Sequence, residues 1–488
     1  MDELTLLLIL PLIGAVTITV LPSEQTKLIR NLALLASLAA LLQSWNLLFT
    51  FDSSSALLQF SELTTWNTRL GTSYALGVDG ISLPMILLAT LLCFIAIMAS
   101  STITKHVKAY YFLILLLETA MLGVFMAQDW TLFYLFWELN LIPLFFLIDR
   151  WGGSRRHTAA LNFVLYTMGG SVFMLLAILA LFDSTPGHSF AMADMLASAR
   201  TLPADTQLWL FLGFLIGFGV KMPIFPLHGW LSLAHVEAPA PVSILLSGVL
   251  LKMGSYGLIR ASSMLPDAII ALQPVLATLA LFSLIYGGLL AWRQSDLKSM
   301  IAYSSVSHMG IVLLGIASLN IVGLTGAVMQ MVAHGLVAGA MFLLIGLLYE
   351  RTHTRDINNY SSLVRVMPRF AFFTTLAFIG AVGMPGTAGF VAELHILIGG
   401  FDTWGWIMLI IGLGVLISSA YALRTVGRLF TGPVKAEMQS IQDLNRHEMF
   451  AATTLSMAIV AIGFFPAPLL DLIGASVNEL SAVFAGRL

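Results

Sequence analysis

Residues 211–230 read FLGFLIGFGVKMPIFPLHGW, and residues 243–258 read SILLSGVLLKMGSYGL. Each stretch lies in an apolar run long enough to cross a bilayer, yet each contains one lysine, Lys221 or Lys252. A lysine at the centre of a bilayer costs about 2.5–3.5 kcal/mol on insertion scales, so a lysine in such a place usually serves a function. The two stretches therefore predict membrane-spanning helices that take part in moving ions or protons.

The composition of the 488 residues places the whole chain in a membrane. Hydrophobic residues make up 58% of the chain, charged residues only 10%, and the mean hydropathy is +0.93. No soluble core requires so apolar a composition. The net charge of −2 offers no basic surface for nucleic acid, and the single cysteine, Cys93, cannot by itself form a disulfide or hold an iron–sulfur cluster. The sequence predicts an all-α, polytopic integral membrane protein.

A window of about 19 residues finds fourteen apolar segments. They lie near 4–21, 28–50, 81–101, 108–127, 131–148, 158–182, 207–230, 241–262, 267–290, 297–317, 322–349, 370–398, 403–428 and 449–472. Connections after odd-numbered segments contain 17 lysines and arginines, and those after even-numbered segments contain 3. The positive-inside rule then places both termini on the lumenal or periplasmic side. The acidic start MDELT lacks the basic region of a signal peptide, so we expect the first segment to be retained.

Segments four to eight and nine to thirteen form two blocks of five, and an odd number of spans inverts the second block relative to the first. Each block is interrupted in its fourth segment, by Pro223 and Pro226 in the first and by GMPGTAG at 383–389 in the second. Such interruptions are typical of transporters, although ordinary kinks are the alternative. The expected organisation is three N-terminal spans at 1–107, inverted repeats at 108–262 and 263–428, and a cytoplasmic linker with a C-terminal span at 429–488.

Nine ionisable side chains are predicted to lie at membrane depth: Glu118, Glu138, Lys221, His228, Lys252, His308, His334, Glu393 and His395. Burial disfavours the charged forms of both lysine and glutamate, so such groups can exchange protons under modest forces. Imidazole can bridge the gaps between them. Two other interpretations stay open, because Glu138 and Lys221 could form a static ion pair and a membrane histidine often only hydrogen-bonds a neighbouring helix. The roles of Glu118, His235 and His395 are left open.

Several strings carry a family resemblance: FWELNLIP (136–143), GVKMPIFPLHGWLSLAHVEAPAPVSILLSGVLLKMGSYGLIR (219–260), DLKSMIAYSSVSHMGIVLLG (296–315), QMVAHGLVAGAMF (330–342) and GMPGTAGFVAE (383–393). They resemble the antiporter-like, proton-pumping membrane subunits of complex I, in particular subunit M of bacteria, which is chain 4 of the photosynthetic complexes. Glu393 in place of a lysine favours this subunit over its two sister pump subunits. Ser232 and Leu233 stand where many members have Pro-Asp, and this departure together with the shorter chain resembles the cyanobacterial paralogues associated with inorganic-carbon uptake.

The resemblance implies a role for each matching residue. Glu138 and Lys221 would form a switching pair, and Lys252 would be the central lysine. His308 and His334 would relay protons to the terminal acid Glu393. His228, seven residues after Lys221, also fits the family pattern.

The function implied is that of a proton-translocating subunit of an NAD(P)H- or ferredoxin-driven quinone oxidoreductase. Quinone and iron–sulfur clusters would belong to partner subunits, and this chain would bind no cofactor or metal. Its partners would be lipids and other membrane subunits, including the sister pump subunits. The membrane would be the thylakoid in a cyanobacterium or chloroplast, and otherwise the bacterial inner membrane.

Two alternatives to this function remain. The first is the D-type subunit of a multisubunit sodium/proton antiporter, which shares the switch lysines. The second is an inert scaffold subunit, against which the complete set of Glu138, Lys221, Lys252 and Glu393 argues.

Overall fold

A computed structural model describes residues 2–487, and nearly all of the chain is helical. The first part contains α1 (Glu3–Val20), α2 (Thr26–Thr50), β1 (Gln59–Asn67), β2 (Thr72–Val78), α3 (Ser82–Ala99) and α4 (Val107–Met126). The two strands pair antiparallel, and within residues 2–487 they form the only sheet. The predicted segments at 28–50 and 81–101 leave residues 51–80 between two spans, but nothing in the sequence predicted this hairpin.

The middle part contains α5 (Trp130–Leu139), α6 (Leu141–Trp151), α7 (Arg156–Ser184), α8 (Met192–Ala199), α9 (Ala204–Lys221), α10 (Leu231–Glu237), α11 (Ala240–Leu245) and α12 (Leu251–Met264). A π-helical turn, Leu246–Leu250, joins α11 to α12. The last part contains α13 (Pro266–Arg293), α14 (Leu297–Ala317), α15 (Ile321–Thr352), α16 (Leu363–Val366), α17 (Pro368–Val382), α18 (Ala388–Trp404), α19 (Ile410–Phe430), α20 (Arg446–Phe464) and α21 (Ala467–Ala485).

Helix length and burial identify a membrane bundle. Each of the fourteen predicted segments coincides with one or two of these helices, and 13 helical stretches are long and apolar enough to cross a membrane. The helices α14 and α15 are buried on almost every side, whereas α1, α2, α7 and α13 expose leucine, valine and aromatic side chains. Exposed apolar faces of this kind suit a lipid environment. The predicted all-α, polytopic membrane fold is confirmed.

Hydrogen bonds between connections sort the helix ends onto two faces of the bundle. On the face that carries the β-hairpin, here called the hairpin face, the Gly80 N–H donates to Ser476 Oγ at 2.9 Å. On the opposite face, here called the linker face because it carries residues 429–445, Arg351 Nε donates to the Gln442 carbonyl at 2.9 Å. Connections after odd-numbered segments meet on the linker face. This is the grouping that the uneven distribution of lysines and arginines between the two sets of connections predicts. The assignment of the linker face to the cytoplasm stays a prediction.

Both predicted helix interruptions are present. After α9, residues 222–230 leave the helix in a series of turns that contain Pro223 and Pro226, and the chain then resumes as α10. Between α17 and α18, Gly383 and Gly386 have φ values of +70° and +90°, which side-chain-bearing residues rarely adopt. The prediction of broken helices is therefore confirmed.

The predicted C-terminal span at 449–472 extends too far, because its helix ends at Phe464. Helix α20 ends at Phe464, and Pro466 precedes a separate helix, α21, because proline cannot continue the hydrogen-bond ladder of α20. Helix α21 packs Leu472 and Ile473 against the bundle, and its end lies on the hairpin face, where Arg487 pairs with Asp267.

Candidate functional site

Lys252 lies at the centre of the bundle, one residue into α12 and directly after the π-helical turn. Its side chain is fully buried. The Nζ atom donates to the Ser247 carbonyl at 2.6 Å and lies 2.6 Å from His334 Nδ1 on α15. A π-turn widens a helix and is common at functional sites. Nothing in the sequence marked this turn.

A file of titratable side chains continues from Lys252 through α15 and α14 to α18. The imidazole rings of His334 and His308 are 5.4 Å apart between centroids, and His308 Nδ1 lies 3.7 Å from Glu393 Oε1. The Gln330 side-chain amide lies 3.4 Å from the same His308 nitrogen. The structure thus brings together four of the seven predicted site residues: Lys252, His334, His308 and Glu393.

The polar atoms of this file are not all satisfied. Within residues 2–487, His334 Nε2, His308 Nε2 and Gln330 Oε1 are buried and have no hydrogen-bond partner. A buried polar atom without a partner costs free energy, so such a cluster is retained where water, a proton or a moving group uses it. The file is therefore suited to proton exchange.

The break in the twelfth segment makes room for the end of the file. The Glu393 side chain is 13% exposed, in contrast to Lys252 at the centre. A Cβ atom built on Gly383 would collide with the Glu393 carboxylate, so glycine at this position allows the carboxylate to reach the break. The sequence motif GMPGTAG therefore leaves space for the Glu393 carboxylate, at the point where the file ends near the side of the bundle.

Lys221 and Glu138 are not joined in an ion pair in this structure. Within residues 2–487, no ion pair within 4.0 Å links them, and Glu138 Oε1 is buried without a hydrogen-bond partner. Lys221, the last residue of α9, instead donates to the Trp137 carbonyl at 3.3 Å, and its Nζ lies 3.7 Å from the centre of the Trp137 ring. The switching role that the family resemblance implies for the two residues stays a prediction.

Close helix packing connects Lys221 to the helix of Lys252. A Cβ atom on Gly254 would lie 2.6 Å from the Met222 nitrogen and 2.7 Å from the Phe218 carbonyl oxygen, so α12 touches the end of α9. The Trp230 indole N–H donates to the Val220 carbonyl at 2.8 Å and fixes the chain that leaves α9. Lys221 therefore lies at the end of a helix that packs directly against α12, the helix that carries Lys252.

His228 is the predicted site residue that lies apart from the file. Its ring lies 5.9 Å from Phe225 and 5.6 Å from Tyr286, between centroids, and is half-buried. Its surroundings are aromatic, and its Nδ1 has no hydrogen-bond partner among residues 2–487. The relay role that the family resemblance implies for His228 stays a prediction.

Two buried residues near the linker face were missed or left open. His235 is fully buried, stacks on Phe342 at 4.6 Å between ring centroids, and has no partner for either ring nitrogen among residues 2–487. Lys298, which the sequence assigned to a connection, is only 3% exposed and donates to the Ala238 carbonyl at 2.6 Å. Lys298 comes two residues after Asp296, whose side chain caps the start of α14. This position in the sequence could have identified Lys298 as part of the helix.

The remaining intramembrane groups lie outside the file. Glu118 is fully buried and accepts a hydrogen bond of 3.1 Å from Ser37, and His395 Nδ1 lies 2.7 Å from the Val391 carbonyl of its own helix. Across residues 2–487, no three His, Cys, Asp or Glu side chains are grouped to hold a metal ion.

Comparison with known proteins agrees with this geometry. Residues 127–418 match the family described as NADH:quinone oxidoreductase/Mrp antiporter, transmembrane. "NAD(P)H-quinone oxidoreductase chain 4 2" of Thermosynechococcus vestitus is 42% identical over 475 residues, which are 95% of this chain and 89% of that protein. "NAD(P)H-quinone oxidoreductase chain 4 1" of Synechococcus elongatus is 43% identical over 479 residues, 95% of this chain and 88% of that protein.

Solved structures share the fold. A chain of respiratory complex I from Thermus thermophilus with bound NADH superposes with a TM-score of 0.91 at 30% identity, covering 99% of both chains. A chain of the Mrp complex from Dietzia sp. superposes with a TM-score of 0.85 at 20% identity, covering 98% of this chain and all of that one. The second likeness concerns the fold alone.

Proposed function

The chain belongs to the NADH:quinone oxidoreductase/Mrp antiporter transmembrane family, and on that premise we propose that it is a proton-translocating membrane subunit of a quinone-reducing oxidoreductase complex. The observation that carries the proposal is the file of Lys252, His334, His308 and Glu393. Ionisable groups at membrane depth are expensive and mark ion or proton paths. Quinone and iron–sulfur clusters belong, in this proposal, to partner subunits.

Protons move along the file in short transfers between neighbouring groups. The Lys252 ammonium gives a proton to His334 Nδ1, at 2.6 Å. Each imidazole can accept a proton on one nitrogen and release one from the other, and the free Nε2 atoms of His334 and His308 leave those positions open for transfer. Glu393 receives the proton at the end of the file. The first repeat, 108–262, supplies the lysines, and the second, 263–428, supplies the histidines and the terminal acid.

The Glu138 and Lys221 pair controls the file through its charge. When Glu138 neutralises Lys221, the field at Lys252 is weak; when the pair opens, Lys221 repels the proton on Lys252 and favours its release. Moving one proton against 100 mV takes about 2.3 kcal/mol. A like charge at the end of the neighbouring helix acts in the direction of proton release from Lys252.

The membrane and the partners follow from the same proposal. The bias of 17 to 3 in lysines and arginines supports a cytoplasmic or stromal linker face and a lumenal or periplasmic hairpin face. The cyanobacterial relatives support a thylakoid membrane. Sister pump subunits are the expected neighbours at the lateral surfaces near Glu138 and Glu393, where both residues are half-buried.

The experiment is to purify the native complex by a tag on this chain and to measure donor-driven quinone reduction and proton uptake in the same vesicles. We expect the complex to contain iron–sulfur partners and to couple the two activities. Lys252→Ala should abolish proton uptake, whereas Lys27→Ala, the same change at an exposed lysine, should leave it intact.

Two results would contradict the proposal. A complex that lacks iron–sulfur subunits and exchanges sodium for protons without any electron donor would identify the antiporter alternative. Full proton uptake in an assembled Lys252→Ala complex would identify a scaffold that does not conduct protons.

A further inference from the structure

The Lys221 ammonium has a second site besides Glu138. Its Nζ lies 3.7 Å from the centre of the Trp137 ring and 3.3 Å from the carbonyl oxygen of the same residue. Both side chains are buried, with 1% of each residue exposed. A cation at this distance over an indole face is attracted by the ring quadrupole, and the attraction is strongest where water is excluded.

We propose that Trp137 is a positioning residue that holds the charged amine of Lys221 when the pair with Glu138 is open. The inference rests on the proposed function, because it concerns the switch of the same pump. In the closed state Lys221 contacts the Glu138 carboxylate, and in the open state it contacts the Trp137 ring and carbonyl. Without the ring, an open Lys221 would be a buried charge with one carbonyl as its only partner, and such burial is strongly unfavourable.

The two sites are adjacent because Trp137 and Glu138 are consecutive residues of α5. Successive side chains of an α-helix point about 100° apart, so the indole and the carboxylate leave the helix at the same height but in different directions. A lysine has a flexible four-carbon stem, and rotation about its bonds can carry the amine between the two sites without any helix movement. The switch therefore needs only a change of rotamer at Lys221.

The ring of Trp137 is fixed in place by other aromatic side chains. Phe133 stacks on it with centroids 5.7 Å apart and an interplanar angle of 25°, and Phe218 approaches edge-on at 5.3 Å and 75°. Packing of this kind leaves the indole little rotational freedom. The ring is thus held in position to receive the amine. Phe218 connects the ring to α9, the helix that carries Lys221.

The test compares Trp137→Leu with Trp137→Phe in the assembled complex and measures proton uptake per electron. Trp137→Leu removes the π face and should lower the ratio roughly tenfold, the change expected for loss of one desolvated cation–π contact. Trp137→Phe keeps a weaker π face and should restore most of the ratio. Trp209→Leu, the same substitution at an exposed position of α9 that has no contact with the cluster, is the matched control and should pump almost normally.

A double mutant separates positioning from simple packing. In a Lys221→Ala background, Trp137→Leu should cause no further loss, because Trp137 acts through the amine of Lys221. Additive losses would overturn the inference. Wild-type pumping by Trp137→Leu, in a complex where Lys221→Ala has lost pumping, would overturn the inference and leave the proposed function standing; wild-type pumping by Lys221→Ala itself would overturn the proposed switch.

A size-preserving series keeps the inference testable if Trp137→Leu fails to assemble. Tryptophan carrying one, two or three ring fluorines can be incorporated at position 137, and each fluorine weakens the negative face of the ring with little change in volume. We expect proton uptake per electron to fall stepwise with the number of fluorines at constant assembly. An unchanged ratio across the series would show that the ring does not hold the charge.

Discussion

The two groups of buried charges in this protein differ in continuity. From Lys252 to Glu393, neighbouring groups are joined by a hydrogen bond of 2.6 Å, a ring pair at 5.4 Å and a contact of 3.7 Å. Between Glu138 and Lys221 the connection is broken, and the lysine rests on Trp137. In the proposed function, the file carries protons and the separated pair controls that transfer.

The two broken helices serve these two roles differently. In α9 the break follows Lys221 at once, so the charged residue is the last of its helix. Between α17 and α18 the break lies ten residues before Glu393 in sequence, and Gly383 gives its carboxylate space. One break places a charge at a helix end, and the other makes room for the carboxylate that ends the file.

Loss of the control pair should have the largest effect. Glu138→Gln and Lys221→Ala should each reduce proton uptake by at least about 10²-fold, because either change removes the charge movement of the switch. Assembly should be preserved in Glu138→Gln, since the amide has the size of the carboxylate. The double mutant should pump no worse than either single mutant, as expected for residues that act as one unit. Strictly additive losses at normal assembly would show that the two residues act independently.

Interrupting the file should have a comparable or slightly smaller effect. His334→Gln should lower the rate of proton uptake about 10²-fold, the lower end of the range for loss of a positioned proton carrier. His308→Gln should cost less, because Gln330 also reaches its position and could hold a bridging water. Rates would be measured as initial proton uptake per complex. Equal, wild-type rates in both variants would show that protons bypass the histidines.

A static ion pair on the hairpin face provides the contrast to the open pair. Arg260 binds Asp79 at 2.7 Å, and both side chains are largely buried. Burial acts to raise the pKa of the Asp79 carboxyl, but Arg260 and the hydrogen bonds from Ser82 outweigh it and hold the pKa below its ordinary value. The pair therefore stabilises the fold at neutral pH, and this contribution is lost as the pH falls through the lowered pKa.

Asp79→Asn should leave a buried guanidinium unpaired and cost about 3–5 kcal/mol of stability. We expect less assembled complex and a lower melting temperature, with proton uptake per assembled complex close to wild type. A switching defect at full stability would show that this pair belongs with Glu138 and Lys221.

The smallest effect is expected at His228. Its ring lies between Phe225 and Tyr286 and makes no contact with the file, so His228→Gln should change proton uptake less than about twofold, the usual range for a group that carries no transferred proton. A loss as large as that of His334→Gln would place His228 on the path, as the family pattern implies.

The sequence predicted the helices because length, apolarity and charge bias are properties of single segments. The breaks at Pro223 and at Gly383 were also readable, since proline and glycine act locally. Four features escaped prediction: the hairpin at 59–78, the π-turn at 246–250, the burial of Lys298 and the separate helix α21. Each depends on packing against distant parts of the chain.

The site could be predicted as a set of residues but not as an arrangement. Lys252, His308, His334 and Glu393 stand out as charges inside apolar helices, and their contact follows from the fold of the family. The contact of the Lys221 amine with the Trp137 ring could not be foreseen, because the rotamer of a lysine depends on which partners compete for it in three dimensions. Trp137 itself looked like an ordinary apolar residue of its segment.

Glu393 tests the central claim most directly, because it ends the continuous file and no other carboxylate lies between residues 370 and 398. The measurement is the number of protons taken up per electron in complexes that carry Glu393→Gln, with Asp402→Asn, an exposed carboxylate of the same helix, as the control. The proposed file predicts a lower ratio for Glu393→Gln and a normal ratio for Asp402→Asn. A wild-type ratio in a fully assembled Glu393→Gln complex would contradict it.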